Sequence, residues 1–409
     1  MMEMTTTHRR SKTRWLTPTV FGIGLASLCS DLSHEAVTAV LPGLIASMGV
    51  AAAALGTIEG VSDGLSSVAK LYGGWWADRL RRRKPLCTFG YGMMAAAIAV
   101  IAASTVWPML MLGRALAWIA RGLRTPARKT LLAEAVTPET YGRAFGFERT
   151  MDTLGAIIAP LATLALLSFG VSQRRIIWIA VVPAALAGFA ILLLVKETPH
   201  RTGNPRPFLE LLRELPQNFK RFLYGVGLFG AGDFAHSLII LYAVSALTPR
   251  FGAVKAATIS VGLYALHNVV YAAISYPAGA LADKMNKRVL LAVGYALGAT
   301  TVLLLVLGIN SIPLLAVVFV LGGVYVGIEE TLEDSLAAEL LPGNIRGTGF
   351  GTMAVVNGGG DLVSSLCVGW LWATFGAAVG FGFSLILMTA GTVMVWTMRG
   401  SLKPELNPK

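Results

Sequence analysis

The 409 residues fall into twelve apolar stretches separated by short connections, and that pattern leaves few folds open. Roughly twenty apolar residues in a helix cross the hydrocarbon core of a bilayer. The stretches run Pro18–Met48, Ala52–Ala77, Pro85–Ser104, Pro108–Glu134, Tyr141–Phe169, Arg175–Val195, Asn218–Leu247, Val254–Ala282, Lys287–Gly308, Ile312–Leu340, Arg346–Phe375 and Ala377–Met398. Lipid offers no partner for backbone groups, so all twelve are expected to be helices. Only 14% of the residues are charged and 55% are hydrophobic, whereas a soluble domain carries about 25% charged residues. The three cysteines, Cys29, Cys87 and Cys367, all lie in apolar segments, so no disulfide framework follows.

The net charge of +12 would suggest nucleic acid if the basic residues were clustered on a soluble surface. They sit instead in the connections. Arg79 to Lys84, Arg143, Lys284 to Arg288, Arg346, the amino-terminal tail and Arg399 to Lys409 fall on one side. The turns near Gly49, Trp107, Asn310 and Gly376 carry no Lys or Arg; Arg174, Arg175, Arg250 and Lys255 are the exceptions. Anionic lipid is therefore the expected partner of this charge, nucleic acid is not, and both termini are expected in the cytoplasm. The basic start followed by an apolar run is similar to a signal peptide. That run is long and contains Asp31 and Glu35, which makes it a retained first span.

One stretch occurs twice. Gly74-Trp75-Trp76-Ala77-Asp78-Arg79-Leu80-Arg81-Arg82-Arg83-Lys84 joins spans two and three, and Gly279-Ala280-Leu281-Ala282-Asp283-Lys284-Met285-Asn286-Lys287-Arg288 joins spans eight and nine, 205 residues later. The same offset pairs Glu134 with Glu339, Phe145 with Phe350, Gly146 with Gly351 and Gly155 with Gly360. Two copies of a six-helix unit follow, a transporter design. The expected division is a cytoplasmic tail (1–15), a first bundle (16–196), a cytoplasmic linker with a short amphipathic helix (197–217), a second bundle (218–399) and a tail (400–409).

These residues resemble the major facilitator superfamily over nearly the whole chain. Gly74, Asp78, Arg79, Arg82 and Arg83 are similar to the family's loop motif between spans two and three, with Gly279, Asp283, Lys284 and Arg288 as its second copy. Gly155-Ala156-Ile157-Ile158-Ala159-Pro160 is similar to the antiporter motif of proton-driven exporters, with Ala159 where Gly is usual. Arg114 matches the buried Arg of span four. Asp31-Leu32-Ser33-His34-Glu35 and Phe145 to Asp152 resemble a bacterial branch of drug and multidrug exporters. The resemblance implies an all-α membrane protein, twelve transmembrane helices in two pseudo-symmetric six-helix bundles, in a bacterial inner membrane.

Ionisable groups deep in a bilayer are expensive and mark function by default. Folding spans one and two about Gly49 places Asp31 level with Lys70, and Glu35 level with Asp63, with Glu59 one turn away. Asp31–Lys70 reads equally as a structural ion pair. The surplus of carboxylates at Glu35, Glu59 and Asp63 is what proton coupling needs. Folding spans four and five aligns Arg124 with Asp152, and Arg128 with Glu148 or Arg149, as salt bridges of a gate. Spans seven and eight bring Asp233 and His236 level with His267 and Asn268. The two Asp-x-x-His pairs, Asp31/His34 and Asp233/His236, suit first a proton relay or cation-lined cavity, second a divalent metal, third inert packing. Asp361 and Glu330 are expected to face the cavity, with Glu333 and Asp334 meeting Arg346 and the loop bases. Tyr72, Tyr242, Tyr264 and Tyr271 are candidates to stack on a cationic substrate.

No HExxH or Walker sequence occurs, so the reading is of a non-enzyme that needs no cofactor and draws on a proton gradient. The expected function is alternating-access, proton-coupled export of a small cationic or amphipathic compound. The alternatives are a divalent-metal (iron-like) transporter in the same fold and a non-transporting membrane receptor or assembly partner.

Overall fold

A computed structural model describes residues 15–47, 52–197 and 208–398. The described chain forms α1 (Pro18–Ser47), α2 (Ala52–Arg79), α3 (Lys84–Ala103), α4 (Trp107–Glu134), α5 (Tyr141–Ser168), α6 (Gln173–Leu194), a short α7 (Phe208–Glu214), α8 (Gln217–Gly230), α9 (His236–Phe251), α10 (Ala253–Ala282), α11 (Lys287–Val306), α12 (Ile312–Leu340), α13 (Arg346–Phe375) and α14 (Ala377–Thr397). Spans one to six are α1 to α6. The seventh span is α8 and α9 together, and α10 to α14 complete the twelve.

Proline and glycine set many of the ends. Pro85, Pro108 and Pro313 stand in the first turns of α3, α4 and α12, where a missing N–H costs nothing. On the face opposite the repeated loop motif, Gly170, Gly252, Gly308 and Gly376 take positive φ of 74–96° in the connections after α5, α9, α11 and α13. A Cβ would strain each of those turns.

The helices pack as two sets. In the first, α1 lies against α5 and α6, α2 against α4, and α3 against α4 and α6. In the second, α10 lies against α9 and α12, α11 against α12 and α14, and α8 against α13 and α14. The sets meet along two seams, α5 on α10 and α2 on α13. Consecutive helices α1 and α2 barely touch. Level-matching about a turn therefore finds the right depth on the wrong neighbour. Large apolar side chains such as Phe169, Leu193, Ile386 and Trp396 point outward, as lipid-facing positions should. In the linker, α7 buries Leu211, with Leu215 just beyond its end, in the protein's core.

The seventh span departs from expectation. The sequence predicts one helix over Asn218–Leu247; the backbone leaves helical geometry between Gly230 and His236. Gly232 there lies so close to α14 that a Cβ would fall 2.7 Å from the Ser384 carbonyl. The Ala235 N–H, freed from the helix, donates to Ser365 Oγ at 3.0 Å. A span rich in glycine (Gly225, Gly227, Gly230, Gly232) tolerates the interruption, and the interruption carries Asp233.

Candidate functional site

The two loop motifs do the same job on the two seams. Asp78 ends α2 and accepts from the Gly347 and Thr348 N–H groups at 2.8 and 2.6 Å, capping the start of α13. Asp283, at the end of α10, accepts from the Gly142 and Arg143 N–H groups at 2.8 and 3.1 Å and from Arg143 Nε at 2.7 Å, capping α5. Each carboxylate thus belongs to one half and satisfies the orphan amides and positive helix end of the other. The helices approach backbone to backbone: a Cβ on Gly74 would lie 2.2 Å from the Gly347 carbonyl, and one on Gly279 1.9 Å from that of Gly142. Arg83 also meets Glu134 at 2.5 Å and Asp78 at 3.5 Å, and Lys287 meets Glu339 at 3.0 Å. On this hinge face the halves are locked together.

Beyond the lock, the second half holds an acidic cavity of about 350 Å³. The α8–α9 break supplies Asp233 and His236, α12 supplies Glu329, Glu330 and Glu333, and α13 supplies Asn357 and Asp361. Glu333 stands four residues after Glu329 and three after Glu330, which brings both to its side of α12. The Tyr325 hydroxyl donates to Asp233 at 3.0 Å and Asn357 Nδ2 to Glu333 at 2.8 Å; Tyr295 donates to Glu333 and Tyr271 to Glu330. Two polar atoms lining it, His236 Nε2 and Asn357 Oδ1, are buried with no hydrogen-bond partner among the described residues. The Glu330 side chain is 39% exposed and Asp361 is exposed, so the cavity opens to the space between the halves. Lys70 carries its charge near Asp361 from the first half.

The first half is built with the opposite sign. At the 205-residue offset, Arg124, Arg128 and Lys129 of α4 correspond to Glu329, Glu333 and Asp334 of α12. One such pair touches across the interface, Lys129 Nζ to Asp334 at 2.5 Å. Arg128 reaches Glu148 at 2.8 Å and Asp152 at 3.9 Å, and also bonds Ser27. Arg124 donates to Ser30 Oγ at 2.5 Å and stacks over Tyr91 at 3.9 Å. Arg121 pairs with Asp31 at 3.2 Å. Arg149, on α5, reaches Asp152 at 3.3 Å on its own helix, and Glu330 and Asp334 across the seam at 3.1 and 3.5 Å.

Several expectations change. Asp31 pairs with Arg121, not Lys70, because α1 packs on α5 and α6 rather than on α2. Arg124 turns to Ser30 and Tyr91, leaving Asp152 to Arg149 and Arg128. Glu333 lines the cavity, and Asp334 meets Lys129 and Arg149; Arg346 bonds the Tyr141 hydroxyl and the Leu341 carbonyl instead. Glu59 and Asp63 fall on α2, and their side chains lie outside the described ones.

Of the histidines, His236 lies 4.7 Å from His267, which stacks on Tyr264; Tyr264 also bonds Asn268. His34 instead packs edge-on against Trp118 at 4.9 Å, beneath Arg114, which bonds Thr38 at 3.0 Å. The metal alternative needs His and carboxylate ligands to converge. Among the described residues no group of three or more His, Cys, Asp or Glu does so. Tyr242 is buried on the Ile309 carbonyl at 3.0 Å and Tyr72 is exposed, so neither lines the cavity.

In the antiporter-like stretch, Gly155 lets α5 approach α1, where a Cβ would sit 2.5 Å from the Leu28 carbonyl and 3.2 Å from Asp31 Cβ; Ala159 is buried and Pro160 stays within α5. In the loops, Arg79 lies over Trp75, Arg288 donates to the Met398 carbonyl at 2.9 Å, and Arg82 and Lys284 are exposed. The sequence reading missed Arg121, Lys129, the cavity-lining roles of Glu329 and Asn357, and the hydroxyls of Tyr295 and Tyr325 that bond the cavity's carboxylates. The run Glu329-Glu330-x-x-Glu333-Asp334 inside an apolar span was the signal for the acidic wall.

Comparison with known proteins agrees with this architecture. An uncharacterized MFS-type transporter of Methanocaldococcus jannaschii is 30% identical over 363 residues, 88% of this chain and 89% of that one. The crystal structure of the E. coli fucose:proton symporter FucP superposes with a TM-score of 0.77 at 15% identity, covering 93% of this chain and 98% of that one. A bacterial homologue of the iron transporter ferroportin, in its outward-facing state, gives 0.74 at 14% identity, covering 92% and 98%. The sequence model of the Major Facilitator Superfamily matches residues 23–256 and 225–409. The chain therefore belongs to the Major Facilitator Superfamily and is a transporter of that family.

Proposed function

We propose that the protein is a proton-coupled exporter of small cationic or amphipathic compounds, and that the acidic cavity at the broken seventh span is where its cationic cargo sits. The observation that carries this is the concentration of five carboxylates, Asp233, Glu329, Glu330, Glu333 and Asp361, around about 350 Å³. At low dielectric, unit charges a few ångströms apart interact by several kcal/mol. Arg149 faces Glu330 and Lys70 lies near Asp361, which leaves Asp233, Glu329 and Glu333 for protons or a cationic ligand to balance. A cavity that holds one or the other supports exchange of the two. Helices broken at mid-membrane are a recurrent way to build such sites.

The lysine- and arginine-rich hinge face is taken as cytoplasmic, following the loop-charge bias. With that face locked, the cavity opens outward, the state in which an exporter releases cargo and reloads protons. The E. coli neighbour is a proton symporter, so the fold accommodates proton coupling. The antiporter-like stretch around Gly155 presses against Asp31, which favours opposed over parallel movement of cargo and proton.

The test is flux in reconstituted vesicles. A pH gradient should drive uptake of ethidium or tetraphenylphosphonium by the wild type, and Asp233→Asn combined with Glu329→Gln should abolish it while leaving the purified protein folded. Undiminished flux in that double variant removes the cavity from the mechanism. Absence of gradient-driven flux for both cations removes the exporter reading.

A further inference from the structure

Glu330 belongs to two sites at once. On one side it lines the acidic cavity. On the other it receives the Arg149 guanidinium at 3.1 Å, from the opposite half of the protein. Arg149 does not stop there: it reaches Asp334 at 3.5 Å, and Asp334 holds Lys129 at 2.5 Å. These contacts sit above the Asp283 cap on the same α5–α10–α12 seam, where Gly142 and Gly279 press together. The Arg149 side chain is 15% exposed, so its charge is largely withdrawn from water and depends on these partners.

We propose that Arg149 is a latch that reports occupancy of the cavity to the hinge face: a cation in the cavity and the Arg149 guanidinium compete for Glu330. The inference rests on the reading of the cavity as a cation site and adds its regulation. With the cavity empty of cations, Arg149 holds Glu330 and ties α5 to α12, which favours the locked hinge. A cation that takes Glu330 removes the cross-seam contact nearest the cavity, and the lock weakens. Linkage makes the effect reciprocal: whatever the ligand costs the lock, the lock costs the ligand.

The surroundings make Arg149 a clean residue to test. Every charged group facing it has a second partner. Asp334 keeps Lys129, Asp152 keeps Arg128 at 3.9 Å, and Glu330 keeps the Tyr271 hydroxyl. Arg149→Gln therefore strands none of them, and Arg149→Lys retains a cation that still reaches the seam. Arg149 lies outside the cavity wall, so its removal takes away no ligand.

The experiment uses the full chain in nanodiscs, with Cys29, Cys87 and Cys367 replaced by Ala and spin labels at Arg81→Cys and Met285→Cys, two exposed positions on the loops of opposite halves. Distances between the labels and the binding of tetraphenylphosphonium are measured together. In the wild-type background the cation should lengthen the distance. In Arg149→Gln the longer distance should predominate without ligand, and the cation should bind about 5–150-fold more tightly, the usual span of such couplings. Arg149→Lys should restore most of the ligand response. If Arg149→Gln binds with unchanged affinity and shows the same ligand-driven lengthening as wild type, the latch is overturned while the cation site stands. If the wild type binds no cation, the cation reading itself fails and the latch with it.

Discussion

A methyl group added at Gly279 reports directly on the lock. In the structure a Cβ there lies 1.9 Å from the Gly142 carbonyl oxygen and 2.6 Å from its carbon. Real Cβ atoms stay about 3 Å or more from such neighbours, so α5 and α10 must part by about an ångström at their tightest point. Overpacking of this kind costs about 1–3 kcal/mol, and about 1.4 kcal/mol is a factor of ten in a population. The closed hinge face should therefore lose about 5–150-fold against the open one. The penalty falls on that state alone, since parted helices leave room for the methyl. Replacing a helical Gly by Ala favours the helix in every state, by less than the interior value of about 0.8–1 kcal/mol because Gly279 stands in the last turn of α10, so overall stability should hold. Distances between spin labels on Arg81→Cys and Met285→Cys, with and without Gly279→Ala, measure the shift. Gly92→Ala on α3, where a Cβ meets nothing within 4 Å, is the control. An unchanged distance distribution in Gly279→Ala, alongside a silent control, would refute the claim that backbone contact at this seam defines the closed state.

Other outcomes follow from the same geometry. Asp78→Asn and Asp283→Asn each weaken two charge-assisted contacts to helix-end amides, worth about 1.5–3 kcal/mol apiece; alkylation of cysteines placed in the seam should speed up in both variants and most in the double. Lys129→Asp or Asp334→Lys alone should impair flux by placing like charges together, and the two combined should recover a large part of it, since the pair is 2.5 Å apart. Asp31→Asn leaves Arg121 without its carboxylate; such a break costs about 3–5 kcal/mol for a buried pair and less here, where Arg121 is 25% exposed. A lowered melting temperature, partly restored by Arg121→Gln, would show it. Zn²⁺ or Co²⁺ should produce no thermal stabilisation that disappears in His34→Ala with His236→Ala, because His34 packs on Trp118 and His236 beside His267, and among the described residues neither joins a group of three metal-ligating side chains.

Much of the fold was legible because the bilayer permits few solutions. Span length, loop charge and the 205-residue repeat lead from the sequence to twelve helices and two hinge motifs. The partners of the buried charges were harder to read. Spacing along the chain gives depth in the membrane, but not which helices are neighbours, and α1 turns out to pack on α5 and α6. Arg128 and Glu148 share a depth and their side chains pair at 2.8 Å although α4 and α5 pack little on each other, whereas Asp31, level with Lys70, pairs with Arg121 instead. The break at Asp233 escaped notice because Gly-Ala-Gly-Asp inside an apolar run looks like a close-packing stretch until the backbone is traced. The charge inversion between α4 and α12 was present in the repeat all along. Only the structure shows that the acidic copy encloses space, while in the basic copy Arg121 and Arg128 already pair with carboxylates.

The claim beneath all of this is that protons and a cation compete for the carboxylates around Asp233. Adding tetraphenylphosphonium to the purified protein in weakly buffered solution near neutrality, and following pH and calorimetric binding together, addresses it. Roughly one proton should leave for each cation bound, with the release lost in Asp233→Asn combined with Glu329→Gln. Saturable binding with no proton released, or release that persists in that double variant, would contradict the account.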